Sequence, residues 1–328
     1  MDAKNVLEMV LPDPVLSALD LPLHARFYPC GFPLDVASNS AHVIEAATEG
    51  WGEFTQQFDT RPARLHIAVA DGSSDPLPPE SAVRSREHLM LFVANAENLM
   101  VCDFEKSFGF GWTTESVARD HALLRYRFLT AGGLTLVEQQ SCASLHCGLV
   151  VRNGRGVAFL GDSFAGKSTL SYACARAGWG FASDDGVFLV RDRSDRYAMG
   201  DPYSLRLRQD ARHLFPELQD RMPAPRPNGK LAIEIFTRSL PIEITQGCTI
   251  DHIVFLKRSA PGAACIKPYP KEDARDWCQR YSTFGTRETR QAQLRCYERL
   301  LTAGVWEMQY NDLDDAIGRL EQLVDSGD

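Results

Sequence analysis

The sequence predicts an α/β protein in two parts: a mixed α+β N-terminal domain over residues 1–140 and a C-terminal P-loop domain over residues 141–328. Three observations carry this reading. A chain of 328 residues, 44% of them hydrophobic, holds more apolar material than one core usually organises, because single cores stop growing near about 250–300 residues. Before about residue 140, strand-like runs mix with few helical ones. From about residue 145 the order becomes strand, glycine turn, helix, strand, the pattern of an α/β unit with a mostly parallel sheet.

In the N-terminal part, Ser38-Asn39-Ser40 offers N-cap side chains ahead of a helix near residues 40–54. Arg64–Ala70, His88–Val93 and Leu99–Phe104 read as strands, and Val117, Leu124 and Phe128 fall on one face of a helix starting near Thr114. No catalytic cluster is visible there, so a scaffolding or partner-receiving role is expected. Ala70–Glu80 and Arg221–Asn228 are rich in proline and turn residues and read as exposed loops. Further on, Gly148–Val151, Gly156–Leu160, Val187–Val190, Ala232–Phe236 and Ile250–Leu256 read as strands, and Lys167–Ala177, Arg287–Ala303 and Leu313–Val324 as helices. Leu313, Ile317, Leu320 and Val324 share one face of the last helix, a stripe that reads as core.

Composition removes several function classes. The 35 basic and 43 acidic residues leave a net charge of −8, which argues against a broad nucleic-acid or anionic-membrane surface, since such binding needs clustered Lys and Arg. No run approaches the roughly 18–20 apolar residues of a spanning helix, and no secretory signal is visible, so a cytoplasmic protein is expected. The nine cysteines are scattered, without zinc-type spacing, and read as small apolar packing residues.

The strongest chemical signal is Gly161-Asp162-Ser163-Phe164-Ala165-Gly166-Lys167-Ser168, directly after Val157-Ala158-Phe159-Leu160 and leading into the helical pattern Lys167–Ala177, with Thr169 next to it as a further nucleotide-binding candidate. It satisfies G-x-x-x-x-G-K-[ST], which chance would give in roughly one chain in a hundred of this length. The glycines let successive N–H groups turn inward at the positive end of the following helix. Lys167 would reach the β- and γ-phosphates of ATP, and the Ser168 hydroxyl would ligate Mg²⁺. Asp184-Asp185 lies 17 and 18 residues after Lys167 and is the preferred source of the remaining carboxylates. Val187–Asp192 is the alternative, a displaced Walker B strand ending in Asp192. Neighbours on an extended backbone face opposite ways, so the two carboxylates should divide labour, one toward the acceptor hydroxyl and the other toward Mg²⁺ or the lysine.

These residues resemble the nucleotide domain of HPr kinase/phosphorylase, whose loop is followed at the same distance by an Asp-Asp motif. His146, 15 residues before Gly161, looks like the histidine that family has near the transferred phosphate. The match covers about residues 142–190. By Phe27–Pro33, Asn39–Trp51 and Lys230–Leu240, the whole chain resembles the bacterial group called HPr-kinase-related kinase A, described as encoded beside small PqqD-like peptide-binding proteins. The resemblance implies a serine kinase using ATP and Mg²⁺, with Asp184 as the base, Asp185 and Ser168 on the metal, and His146 in support. It also leaves a homo-oligomer open. The stretch Asn228–Glu234 stands where true HPr kinases carry a Glu-x-Arg-Gly-type signature, and Phe164 replaces a usual glycine, so the reverse reaction is not implied.

Secondary candidates keep two readings each. Arg206 and Arg208 would share a strand face, as a clamp for phosphate or an acidic peptide, or as a solvated edge. Lys230 is a loop cation or a strand opener, and Glu234 a metal ligand or a surface carboxylate. The expected function is ATP-dependent transfer to a hydroxyl, of a serine in a small protein or peptide. The alternatives are a small-molecule kinase and a nucleotide-dependent peptide-binding module without transfer.

Overall fold

The computed structural model describes residues 19–78, 80–226, 229–258, 262–280 and 285–326, and the protein is a mixed α/β structure. The first sheet contains β1 (Leu23–Phe27), β2 (Leu34–Ser38), β3 (Ala63–Ala70), β4 (Ala82–Arg86), β5 (Leu89–Asn95), β6 (Asn98–Asp103) and β7 (Phe108–Thr114). Its order is β1-β2-β3-β7-β6-β5-β4, with β3 parallel to both β2 and β7. β3, β5 and β6 match the expected strands. β4 gave no apolar alternation because all five of its residues are exposed on the sheet edge.

The helix Ala41–Trp51 packs on this sheet through Val43, Ala46, Ala47 and Trp51. Its entry differs from the expected cap. Ser40 makes no capping bond, while the Ser38 hydroxyl donates to Ile67 O at 2.7 Å and Asn39 brackets Val69. The single helix expected from Thr114 is instead broken at Asp120, whose φ of −84° and ψ of 85° leave the helical region. The Asp120 carboxylate accepts from Leu123 N at 3.0 Å and restarts the chain as the helix His121–Leu124. A π-helical stretch, Arg125–Leu134, follows and runs into the helix Thr135–Ser141. Gly132 lets this stretch approach the sheet closely, since a Cβ there would lie 2.3 Å from Met100 Sδ.

The remaining strands are β8 (Cys142–His146), β9 (Gly148–Arg152), β10 (Arg155–Leu160), β11 (Gly180–Ser183), β12 (Gly186–Val190), β13 (Tyr197–Gly200), β14 (Ser204–Leu207), β15 (Ala224–Pro225), β16 (Leu231–Phe236), β17 (Gly247–Arg258), β18 (Cys265–Pro268) and β19 (Gly304–Tyr310). β14, β16 and β15 form a small sheet, and the others form one sheet of nine. β15 pairs with Leu231–Ala232, so the stretch expected to be a loop at Arg221–Asn228 contains a short strand, while its residues 227 and 228 lie outside the described residues.

The large sheet is not mostly parallel as expected. Among its described strands, only the pairs of β17 with β10 and with β19 are parallel. The cause is local: Asn153 and Gly154 take φ of 51° and 75°, a two-residue left-handed turn that folds β9 back against β10. β9 therefore separates β10 from β11, which the helix Lys167–Arg176 connects.

Period-two alternation along β10 divides two cores. Val157 and Phe159 pack with the helices Lys167–Arg176 and Leu313–Ser326, where Ile317, Leu320 and Val324 are buried as expected. Ala158 and Leu160 pack with β8, β12 and β13 and with the helices Lys271–Gln279 and Arg287–Leu300. Fully burying each large apolar side chain contributes about 1.5–3 kcal/mol. Phe188, Val190 and Met199 face a third core that includes Leu34, Val43 and Leu65, so β12 and β13 also anchor on the first sheet. All nine cysteines are free and all but Cys265 are buried, in line with a packing role. No helix among the described residues is long and apolar enough to cross a membrane.

Candidate functional site

β10 ends at Leu160, and the loop from Gly161 to Gly166 leads into the helix Lys167–Arg176. Three loop residues have positive φ: Gly161 at 138°, Phe164 at 73° and Gly166 at 98°. At Gly166 the close approach is absolute, because a Cβ would lie 2.2 Å from Tyr310 Oη, which donates to Ala165 O at 3.0 Å. Phe164 takes its left-handed conformation at a cost of about 1–2 kcal/mol. Its ring is 73% exposed and carries the Arg208 guanidinium 3.7 Å from its centre, a cation–π contact.

Lys167 is buried and donates from Nζ to Gly161 O at 2.8 Å and to Asp162 O at 3.2 Å. Burial lowers its pKa, against the opposing pull of Asp185 and other acidic neighbours. Asp162 and Ser163 are exposed, and Ala165 and Thr169 half-buried. The Ser168 hydroxyl donates to Asp184 O at 3.4 Å.

Asp184 and Asp185 are the only two residues between β11 and β12, strands far apart in the sheet order, so the sheet curls to let this link close. The Ser183 hydroxyl fixes the turn, donating to Gly186 O at 2.8 Å and accepting from Asp185 N and Gly186 N. The two carboxylates diverge as expected, but from a bent link between the strands rather than from extended backbone. Asp184 is 2% exposed and its Oδ2 accepts from Arg206 N at 3.1 Å. Burial, then the charge of Asp185, pushes its pKa up to about 7 despite Arg206. Asp185 is half-exposed, with Oδ1 3.0 Å from His146 Nδ1. Burial would raise its pKa, but the His146 hydrogen bond and the positive charges of His146, Arg206 and Arg226 bring it below the usual carboxylate value. The register of β8 on β12, His146 opposite Gly186, accounts for this pairing.

Arg206 supplies the balancing charge. On β14 it stands opposite Glu234 of β16, and its Nε donates to Glu234 Oε1 at 3.1 Å. Burial lowers its pKa, yet Asp201, Asp184, Glu234 and Asp185 together raise it overall. The two arginines therefore part company: Arg206 serves the carboxylates, and Arg208 lies one residue past β14 on Phe164. Lys230 is exposed. Asp192 is exposed beyond the far end of β12 from Asp185, with Arg191 N bonded to Ser141 O, so the displaced Walker B residue does not join this group.

A cavity of about 250 Å³ opens beside Asp185, with Arg206, Arg226 and Glu234 on one side and Glu49 and Arg125 on the other. Glu49 and Arg125 had no local signature, because each is an ordinary polar residue on a helical segment until packing brings it to the cavity.

The donor set fits the expected cofactors. Backbone N–H groups at a curled loop and a helix N-terminus suit phosphate oxygens. Ser168 and the two aspartates are hard oxygen donors of the kind Mg²⁺ takes, and a cation there would relieve the buried charge that raises the Asp184 pKa.

No family model matches this chain, and no curated protein matches it. Among solved structures it is similar to one described as the Hpr(Ser) kinase/phosphatase from Coxiella burnetii, at 13% identity and a TM-score of 0.28, over 56% of this chain and 98% of that one.

Proposed function

We propose that the chain is an ATP-dependent kinase that transfers the γ-phosphoryl group to a hydroxyl, with a serine of a small protein or peptide as the acceptor. The observation that supports it is the contact between the phosphate loop and the aspartate link: Ser168 touches Asp184, and Asp185 faces a cavity with His146 at 3.0 Å.

In this reading the loop amides cradle the phosphates, and Lys167 exchanges its two loop carbonyls for phosphate oxygens. Ser168 and Asp184 would hold Mg²⁺, which would supply positive charge to offset the charge on the transferring phosphates. The acceptor hydroxyl attacks the γ-phosphorus, ADP leaves, and the hydroxyl proton passes to Asp185, which His146 orients. A low-pKa carboxylate is adequate because the transition state is loose and the proton moves late, so orientation matters more than basicity.

This division reverses the one the resemblance implies, Asp184 as base and Asp185 with Ser168 on the metal. The reason is access: Asp184 is 2% exposed with Oδ2 bonded to Arg206 N, whereas Asp185 lines the cavity. The test is incubation with labelled ATP and each neighbouring gene product, a PqqD-like protein first, followed by mapping of the labelled residue. A labelled serine, lost in Lys167→Ala, is expected; no label above the Lys167→Ala background on any neighbour sinks the peptide-kinase reading. The cavity volume, below the usual ~300–1,000 Å³ of ligand pockets, also admits a small alcohol, so ADP release with a small hydroxyl compound is the second assay.

A further inference from the structure

The N-terminal part, where the sequence shows no catalytic cluster, contains a group of ligating side chains of its own. His42 and Glu45 stand one turn apart on the helix Ala41–Trp51, and His121 opens the helix His121–Leu124. His42 Nδ1 lies 3.2 Å from His121 Nε2, and Glu45 Oε2 lies 3.6 Å from the first and 3.8 Å from the second. Ligands with bonds of about 2.0–2.1 Å to a tetrahedral zinc ion sit roughly 3.3–3.4 Å apart, whereas facial ligands of an octahedral ion sit roughly 3.0 Å apart. The observed triangle matches the tetrahedral spacing more closely.

A second observation is independent of that triangle. His121 Nδ1 lies 2.6 Å from Glu49 Oε1, so the carboxylate holds the proton on Nδ1 and turns the Nε2 lone pair toward His42 and Glu45. A carboxylate on the far nitrogen is the arrangement that orients metal-bound imidazoles. The other oxygen of Glu49 pairs with the Arg125 guanidinium, and His42 Nε2 lies 3.9 Å from Glu115 Oε1.

We propose that His42, Glu45 and His121 bind a zinc ion, with Glu49 as the positioning residue and a water completing the tetrahedron. Two imidazoles with one carboxylate suit zinc better than magnesium or calcium, which prefer all-oxygen sites. The ion would tie the helix Ala41–Trp51 to the start of the helical run after Asp120. It would also fix one wall of the cavity beside Asp185, because Glu49, which holds His121, lines that cavity together with its partner Arg125. The zinc site itself does not depend on the kinase reading.

The test uses the full chain, stripped with a chelator and titrated with zinc against a chromogenic competitor, with Co²⁺ as the spectroscopic probe. One zinc per chain, intense tetrahedral Co²⁺ bands and a zinc-dependent rise in thermal midpoint are expected. His42→Ala and His121→Ala should each abolish the Co²⁺ bands, and Glu49→Gln should weaken zinc binding about 10–100-fold. Lys167→Ala should bind zinc as the wild type does. Each variant's metal-free melting curve reports whether it folds. No zinc uptake by the wild type, wild-type affinity in a folded His42→Ala or His121→Ala, or an octahedral Co²⁺ spectrum overturns the proposal, whatever the outcome of the labelled-ATP assay.

Discussion

The two ligand-rich clusters of the molecule use similar side chains in opposite surroundings. In the group of Asp184, Asp185 and His146, one carboxylate is buried against a main-chain N–H and needs the Arg206 guanidinium nearby. In the group of His42, Glu45 and His121, Glu45 is exposed, and the strongest contact is Glu49 on an imidazole. A buried charge makes the fold supply its own compensation, and the shortfall appears as a pKa near 7 at Asp184. A surface group leaves that work to solvent, so its geometry can change at little cost to folding. Substitutions in the first cluster should therefore change chemistry and stability together, and substitutions in the second should change metal binding with smaller effects on the metal-free fold.

The largest separation of the two comes from Lys167→Ala. Losing the charge aimed at the phosphates should lower the transfer rate by at least about 10²–10³-fold, measured as single-turnover label transfer. Asp185→Asn comes next, with an expected loss of about 10²-fold in kcat, the lower end of what general-base catalysis contributes, and nearly unchanged nucleotide affinity. Asp184→Asn should instead raise the Mg²⁺ concentration needed for ATP binding. If Asp185→Asn leaves transfer intact while Asp184→Asn abolishes it, the base is Asp184 and the proposed division is wrong.

The third effect is on stability. Asp184 moves from about 3.8 to about 7 on folding, so the folded state holds the extra proton, and the associated stability is complete below pH 3.8 and lost as pH rises through 7. Asp184→Asn removes that loss. Its thermal midpoint should exceed the wild type's by a few degrees at pH 8, at about 2–4 °C per kcal/mol, with a gap that shrinks toward pH 4. An equal gap at both pH values would show that burial does not act through ionisation. The smallest effect is at Phe164→Gly. Relief of the left-handed backbone, about 1–2 kcal/mol, opposes loss of the Arg208 contact, about 0.5–1 kcal/mol, so a gain of about 0–1.5 kcal/mol in denaturant unfolding is expected.

What could be read in the sequence was whatever a few consecutive residues decide. The loop from Gly161 to Ser168 works through successive main-chain N–H groups, whose directions follow from where glycine permits positive φ, so its motif carries its shape. The strands around it were legible as short apolar runs. Asn153-Gly154 was equally local, and it carried the antiparallel turn that the parallel-sheet expectation overlooked. The tertiary structure alone decided which carboxylate is buried, since neighbours in the chain differ only through what packs over them. It alone also brought His121 to His42, 79 residues away, and Glu49 and Arg125 to the cavity beside Asp185. Those meetings depend on how closely a helical run settles on a sheet, here set by Gly132 against Met100, and no spacing along the chain encodes that distance.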